Sequence, residues 1–364
     1  MEYGVMEQYW VWLSSVEGVG PKRFYQLLSL YRDARDVWER MGDPGMGFLP
    51  LNVREALRAA RSERYFYELF AKLESRGIRA VTRLSDGYPK RLLETVDPPP
   101  TLYVRGEADL SADRMFAVVG ARRCSRDGAR AAREFSETLA RAGVTVVSGL
   151  AFGIDAAAHE GAVKADGVTI AVLGSGADVI YPAENEKLAA ELLDKGGAIV
   201  SEYPPGMPPL STNFPARNRI ISGMSAGVLL VEGAKKSGAM ITVDFALEQD
   251  RDVFAVPGSI YSPLSAKPND IIVQGGLAAA SAWDILSFYG WAERPGDGCP
   301  ARAKIELDGD DRAIYEPLAR EAMTLTELCE TTGFTSAKLL SLLTTLELRG
   351  IISKQPGGEY RACQ

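Results

Sequence analysis

The residues of this sequence that can do chemistry are cations, small residues and aromatics placed directly after short apolar runs. Gly120-Ala121-Arg122-Arg123 follows Phe116–Val119. Ser148-Gly149-Leu150-Ala151-Phe152-Gly153 follows Val144–Val147, and Gly174-Ser175-Gly176 follows Thr169–Leu173. Phe214-Pro215-Ala216-Arg217-Asn218-Arg219 opens a helical segment, and Glu232-Gly233-Ala234-Lys235-Lys236-Ser237-Gly238 follows Val228–Val231. Glycine lets backbone amides approach an anion, arginine and lysine neutralise phosphate, and an aromatic ring at a loop tip stacks on a base. Arg217 is the most informative of these. It stands near a helix start, where the helix dipole disfavours a cation, so its placement asks for an anionic partner. Each position also has a plainer reading, with Phe214 as a hydrophobic staple and Arg217 as a surface charge. Taken together, the positions are better explained as one anion-binding groove, along which Phe152 and Phe214 stack bases.

The elements that must position these residues alternate. Near-continuous apolar runs at Phe116–Val119, Val144–Val147, Thr169–Leu173, Ala198–Ser201, Val228–Val231 and Asp252–Ala255 read as buried parallel strands, most of them separated by helical segments such as Gly128–Ala142 and Ile154–Ala165. Right-handed crossovers then give a Rossmann-like, doubly wound α/β sheet, with ligands expected outside the carboxyl ends of its strands. Before it, residues to about 80 read as helical, including one long stretch from Val53 to Leu73. Val16-Glu17-Gly18-Val19-Gly20-Pro21 matches a helix-hairpin-helix turn or a plain helix–helix connection. After the sheet, a polar stretch precedes three helices and a hairpin containing Gly357-Gly358, the pattern of a winged helix. Its would-be recognition helix is dominated by leucine, which favours packing or protein contact over base reading. The division expected is 1–82 helical, 83–290 Rossmann-like, 291–309 linker and 310–364 winged helix.

Composition narrows the function. The chain has 364 residues, with 41 Lys+Arg against 48 Asp+Glu, a net charge of -7. The excess acid is not at the front: residues 1–114 balance, 115–290 carry -4 and 291–364 carry -3. An acidic chain is no obvious nucleic-acid partner, so that reading needs the local evidence above. The four cysteines include no CxxC pair, and His159 is the only histidine, which argues against a zinc site, a disulfide scaffold and any catalysis needing two histidines. No metal or cofactor is expected. No apolar run reaches membrane-spanning length and no signal peptide is visible, so a cytoplasmic protein is expected.

Several motifs recur together. Val119-Gly120-Ala121-Arg122, Ser148-Gly149-Leu150-Ala151, Gly153-Ile154-Asp155, Tyr181-Pro182, Ser201-Glu202-Tyr203-Pro204, Phe214-Pro215-Ala216-Arg217-Asn218-Arg219, Lys236-Ser237-Gly238 and Val256-Pro257-Gly258-Ser259 run in order. In this the chain resembles the DNA-processing protein A family (DprA/Smf). The resemblance implies an extended Rossmann domain after a helical SAM-like domain and before a winged helix. It implies sequence-independent binding of single-stranded DNA, protection of incoming DNA during natural transformation, loading of RecA recombinase, and a homodimer formed near Ile271 and Ile272. The positions implied to contact DNA are Arg122, Phe214, Arg217, Arg219 and Lys236, with the Ser148–Gly149 loop beside them. Phe152, Asn218 and Lys235 join them from the residue reading. Substitution of Arg217 is then expected to weaken binding and leave the fold intact. Three departures stand out: Ala121 where the family has serine, Phe152 where it often has a cation, and Ser265-Ala266-Lys267-Pro268-Asn269 where it favours Ser-x-Gly-x-Asn. The competing reading is a nucleotide-phosphate-processing enzyme of the same fold. The chain lacks the Pro-Gly-Gly-x-Gly-Thr loop of such enzymes, having only Val256-Pro257-Gly258-Ser259.

Overall fold

The computed structural model describes residues 3–235, 237–294, 309–349, 351–354 and 358–362. They form two compact units, Met1–Phe288 and Tyr289–Gln364.

The first unit begins with five helices: α1 (Val5–Ser15), α2 (Pro21–Leu30), α3 (Ala34–Glu39), α4 (Leu51–Ala60) and α5 (Glu63–Ser75). Trp12, Leu13, Phe24, Leu27 and Leu57 are fully buried between them, and Trp12 Nε1 donates to the Ala60 carbonyl at 2.9 Å. Pro21 opens α2 after the Gly18–Gly20 turn, as its fixed φ suits. The stretch expected to be one helix from Val53 to Leu73 is two. Arg61 leaves helical geometry, and Ser62 caps α5 by accepting from the Tyr65 amide at 3.2 Å.

The nine strands are β1 (Ile78–Thr82), β2 (Thr101–Gly106), β3 (Met115–Val119), β4 (Thr145–Ser148), β5 (Thr169–Leu173), β6 (Ala198–Ser201), β7 (Gly227–Leu230), β8 (Asp252–Ala255) and β9 (Leu277–Ala278). Their order across the sheet is β1-β2-β6-β5-β4-β3-β7-β8-β9. Pairing is parallel from β6 through to β9, and β1 and β2 extend that edge antiparallel. The six apolar runs read from the sequence are β3 to β8, Thr101-Leu102-Tyr103-Val104-Arg105-Gly106 also reads as a short strand and matches β2, and two strands are missed. β1 was read as the tail of the helical region, and β9 has only two residues. The connecting helices are α6 (Lys90–Leu93), α7 (Arg126–Arg141), α8 (Ile154–Lys164), α9 (Glu186–Asp194), α10 (Asn213–Met224), α11 (Ala239–Glu248), α12 (Ala266–Val273) and α13 (Ala282–Phe288). Every residue of β3 and β5 is buried, which explains why their sequences read as unbroken apolar runs. The strand order reverses between β3 and β7, so the loops after those two strands part there and leave a crevice.

The second unit holds α14 (Gly309–Leu318), α15 (Leu325–Thr332), α16 (Ser336–Leu348) and the hairpin of β10 (Ile352–Lys354) with β11 (Tyr360–Ala362). This is the expected winged helix. Thr324 opens α15 with a capping box: its amide donates to Glu327 Oε2 at 2.7 Å. The expected linker falls mostly outside the described residues, as does Gly357. Among the described residues, no helix is long and apolar enough to cross a membrane.

Candidate nucleic-acid interface

The crevice at the strand-order reversal opens into a cleft of about 690 Å³. The loop after β3 supplies Arg122 and Arg123, the loop after β4 supplies Ala151, and α10 supplies Phe214 and Asn218. Ser237 and Gly238, after β7, close the far side.

Arg122 and Phe214 define the mouth. The Arg122 guanidinium carbon lies 5.4 Å from the Phe214 ring centroid, and the Tyr181 ring packs against Phe214 with centroids 5.5 Å apart. Arg122 is exposed and makes no ion pair among the described residues, so its charge faces solvent while the aromatic ring holds its plane. Phe152 is 45% exposed at the tip of the β4 loop, as two flanking glycines suggest, and it borders the same rings. The structure thus brings Arg122, Phe152 and Phe214 together. It adds two residues that the sequence reading left out of the site, Tyr181 and Arg123. The signal for both was available: Arg123 adjoins Arg122, and Tyr181-Pro182 follows the third strand end.

Arg217 has a different environment. It is buried, and Nη1 donates to the Gly149 carbonyl at 2.6 Å and to the Val172 carbonyl. Its Nε donates to Asn218 Oδ1 at 3.1 Å. Burial lowers its pKa to about 10, a shift that the nearby Asp155 carboxylate opposes. Asp155 is itself buried, and burial raises its pKa against the pull of Arg217 and of hydrogen bonds from the Ala151 and Gly149 backbone. The groups that satisfy Arg217 are therefore two carbonyls inside the protein, with the Asp155 carboxylate as the nearby negative charge. Gly153, not Asp155, occupies the N-cap of α8.

Gly149 and Gly153 are required by contact. A Cβ at 149 would lie 2.2 Å from Arg217 Nη1, and one at 153 would lie 2.3 Å from the Ala121 carbonyl oxygen. The second glycine also has φ 79, a conformation that side chains disfavour. These close approaches lock the β4 loop to the β3 loop and to α10. Ser148 is fully buried and donates to the Val118 carbonyl at 2.7 Å, so its hydroxyl ties β4 to β3.

Arg219 points elsewhere. It pairs with Glu202 and donates to the Asp97 carbonyl at 2.7 Å. Two residues along a helix is about 200° of rotation, so Arg217 and Arg219 do not share a face. Lys235 is exposed on the loop after β7, and Lys236 lies outside the described residues. Glu232, at the end of that strand, accepts from the Ser125 amide at 2.8 Å and the Ser125 hydroxyl at 2.6 Å, which anchors the start of α7.

The family described as DNA recombination-mediator protein A matches residues 79–290. The chain belongs to that family. The DprA winged helix domain matches residues 299–358. Protein Smf of Escherichia coli (strain K12) is 43% identical over 282 residues, covering 76% of this chain and 75% of that one. DNA processing protein DprA of Bacillus subtilis (strain 168) is 39% identical, covering 67% of this chain and 86% of its own length. Among solved structures, DNA processing protein A from Streptococcus pneumoniae superposes with a TM-score of 0.59 at 35% identity, over 79% of this chain and 98% of that one. The Helicobacter pylori family member, solved to describe its single-stranded DNA binding mode, gives a TM-score of 0.53 at 26% identity, over 58% of this chain and 95% of that one.

Proposed function

We propose that this chain is a binding protein rather than an enzyme, and that it holds single-stranded DNA, without sequence preference, along the cleft at the strand-order reversal. The observation that carries the reading is the unpaired Arg122 guanidinium stacked over Phe214, with Tyr181 and Phe152 beside it. A cation facing solvent serves a phosphate, and the rings serve bases of any identity. Gly149, Asn218 and Lys235 complete the groove, and Lys236, next in sequence, is proposed as a further phosphate contact. Ser148 and Arg217 shape it from beneath, and Arg219 braces the opposite side of α10. The binding reading is favoured over hydrolysis because the strand-end carboxylates are engaged by protein: Asp155 by backbone amides, Glu202 by Arg219 and Glu232 by Ser125.

The finer role is that of a cytoplasmic mediator that protects incoming DNA and loads RecA recombinase onto it. Its support is family membership, together with an acidic body left free for a protein partner. A homodimer is proposed through the α12 segment. Ile271 is buried there, Val273 is 86% exposed, and Ile260 and Tyr261 on the preceding loop are 82% and 89% exposed. So much exposed apolar surface in one segment suits an interface.

The test is a salt series with fluorescent oligonucleotides. Single strands should bind in preference to duplex, with log K falling by about 0.7 per tenfold rise in salt for each phosphate neutralised. Salt-independent binding, or preference for duplex, overturns the reading.

A further inference from the structure

A second cleft, larger than the first, lies in the helical region away from the strand ends. It encloses about 780 Å³ beside α1 and α5. Six aromatic side chains line it: Tyr3, Tyr9, Trp38, Phe66, Tyr67 and Phe70. Five of the rings form a contiguous run, with centroids at 5.3 Å from Tyr3 to Phe70, 5.2 Å from Phe70 to Phe66, 5.7 Å from Phe66 to Tyr9 and 6.0 Å from Tyr9 to Trp38. The fold half-buries the five rings of the run and leaves the edge of this surface open. Tyr67 is 76% exposed and Val5, also in the lining, is 63% exposed. A contiguous apolar surface of this kind marks a binding face more often than chance.

Charge says what fits it. The lining has two acids, Glu63 and Glu74, and no lysine or arginine. The two stand at opposite ends of α5, eleven residues and so about 16 Å apart. The cations of α5 are engaged elsewhere. Arg64 pairs with Glu68 at 2.7 Å, and Lys72 donates to the Pro205 carbonyl at 2.5 Å. Neither Glu63 nor Glu74 has an ion pair among the described residues. A nucleic-acid strand would bring phosphates against two uncompensated carboxylates, although the rings could stack its bases. A cationic helix meets both demands, with apolar residues on the rings and a positive charge near each end.

We propose that this cleft docks a basic amphipathic helix of a partner protein, its apolar face on the aromatic run and its lysine or arginine side chains at Glu63 and Glu74. This site is separate from the DNA cleft, and the proposal does not depend on what that cleft binds.

The test uses the full chain and two fluorescein-labelled synthetic helices of about four turns, with one apolar face of Leu and Phe and a polar face of either Lys or Glu. Anisotropy should show the Lys helix binding and the Glu helix failing to bind. The double variant Glu63→Lys/Glu74→Lys should weaken the Lys helix by about tenfold or more, through like-charge contact. Tyr67→Ala, at an exposed position that the fold does not need, should weaken it as well. Four outcomes overturn the proposal: equal binding of both helices, binding of neither, Lys-helix affinity unchanged in both variants, or an oligothymidylate whose affinity drops in Tyr67→Ala. The last would assign the cleft to nucleic acid.

Discussion

Gly149 and Arg217 fit one another: the Gly149 carbonyl accepts from Arg217 Nη1 at 2.6 Å, and a Cβ on residue 149 would lie 2.2 Å from that nitrogen. Gly149→Ala therefore displaces a buried guanidinium from its carbonyls and leaves the buried Asp155 carboxylate without its counter-charge. Arg217→Ala does the same directly. Leaving a buried hydrogen-bonding group without its partner costs about 1–3 kcal/mol. Both variants should lose stability of that order, read as a lower urea midpoint. This revises the expectation that Arg217→Ala spares the fold. An unchanged midpoint in both would mean that the pair does not hold the loop.

Much of the fold was legible because it is written in strong local signals. Uninterrupted apolar runs such as Phe116–Val119 can only be buried strands once helical segments separate them, and Pro21 or Thr324 marks a helix start without help from tertiary structure. The site was legible in position but less so in orientation. Strand ends gather residues at one edge, so Arg122, Phe152 and Phe214 meet there as expected. Whether a side chain at that edge faces solvent or protein depends on partners far away in sequence. Arg217 meets Gly149 and Val172, and Arg219 meets Asp97 and Glu202, and no local pattern announces those pairings.

The mouth of the cleft allows a cleaner test of binding, because Arg122 is exposed and has no structural partner to strand. Arg122→Ala should leave the urea midpoint unchanged, weaken single-strand binding and lower the salt slope by about 0.7. Phe214→Ala should cost about 1–3 kcal/mol of binding, the worth of one base stack, with little change in slope. Anisotropy at several salt concentrations separates the two. A Phe214→Ala variant with the wild-type affinity would remove the stacking role.

His159 makes a pH prediction. It is fully buried, and its Nδ1 lies 2.7 Å from Thr169 Oγ1, whose proton goes to the Val146 carbonyl at 2.8 Å. Nδ1 must therefore be the donor, and Nε2 is left buried with no hydrogen-bond partner. Burial, with help from Arg217, lowers the imidazole pKa from 6.5 to about 3. Between those values the unfolded chain binds a proton that the folded chain refuses, so this group removes stability as pH falls from 6.5 towards 3. The loss between pH 7 and pH 5 should be about 2 kcal/mol. Asp155 and Glu202 have raised pKa values and act in the opposite sense as they take up protons, so the comparison must be between wild type and His159→Gln. Urea midpoints at pH 7 and pH 5 should fall more steeply for wild type. Parallel slopes would show that the imidazole is not held neutral.

The winged helix gives the last prediction, from the bookkeeping of its cations. A helix that enters a major groove anchors itself through lysine and arginine on phosphates. In α16 the Lys338 ammonium lies 2.5 Å from Asp310 and 4.1 Å from the Phe334 ring centroid. Arg349, the C-cap residue, lies 2.6 Å from Asp311, whose side chain is only 7% exposed. Using either cation on DNA means breaking a pair, and in the second case leaving a carboxylate buried. The exposed positions between them carry Leu340, 45% exposed, neutral Ser341, Thr344 and Thr345, and the acidic Glu347. Met1–Phe288 is a compact unit with its own cores, so a chain ending at residue 294 should fold. That truncated chain should keep both the single-strand affinity and the salt slope of the full protein, since the cations proposed to face phosphate belong to the cleft and those of α16 are held in internal pairs. Salt titrations of the two proteins side by side decide this. A slope lower by about 0.7 or more in the truncated chain would mean that the winged helix releases at least one cation to the strand, and that its internal ion pairs open on binding.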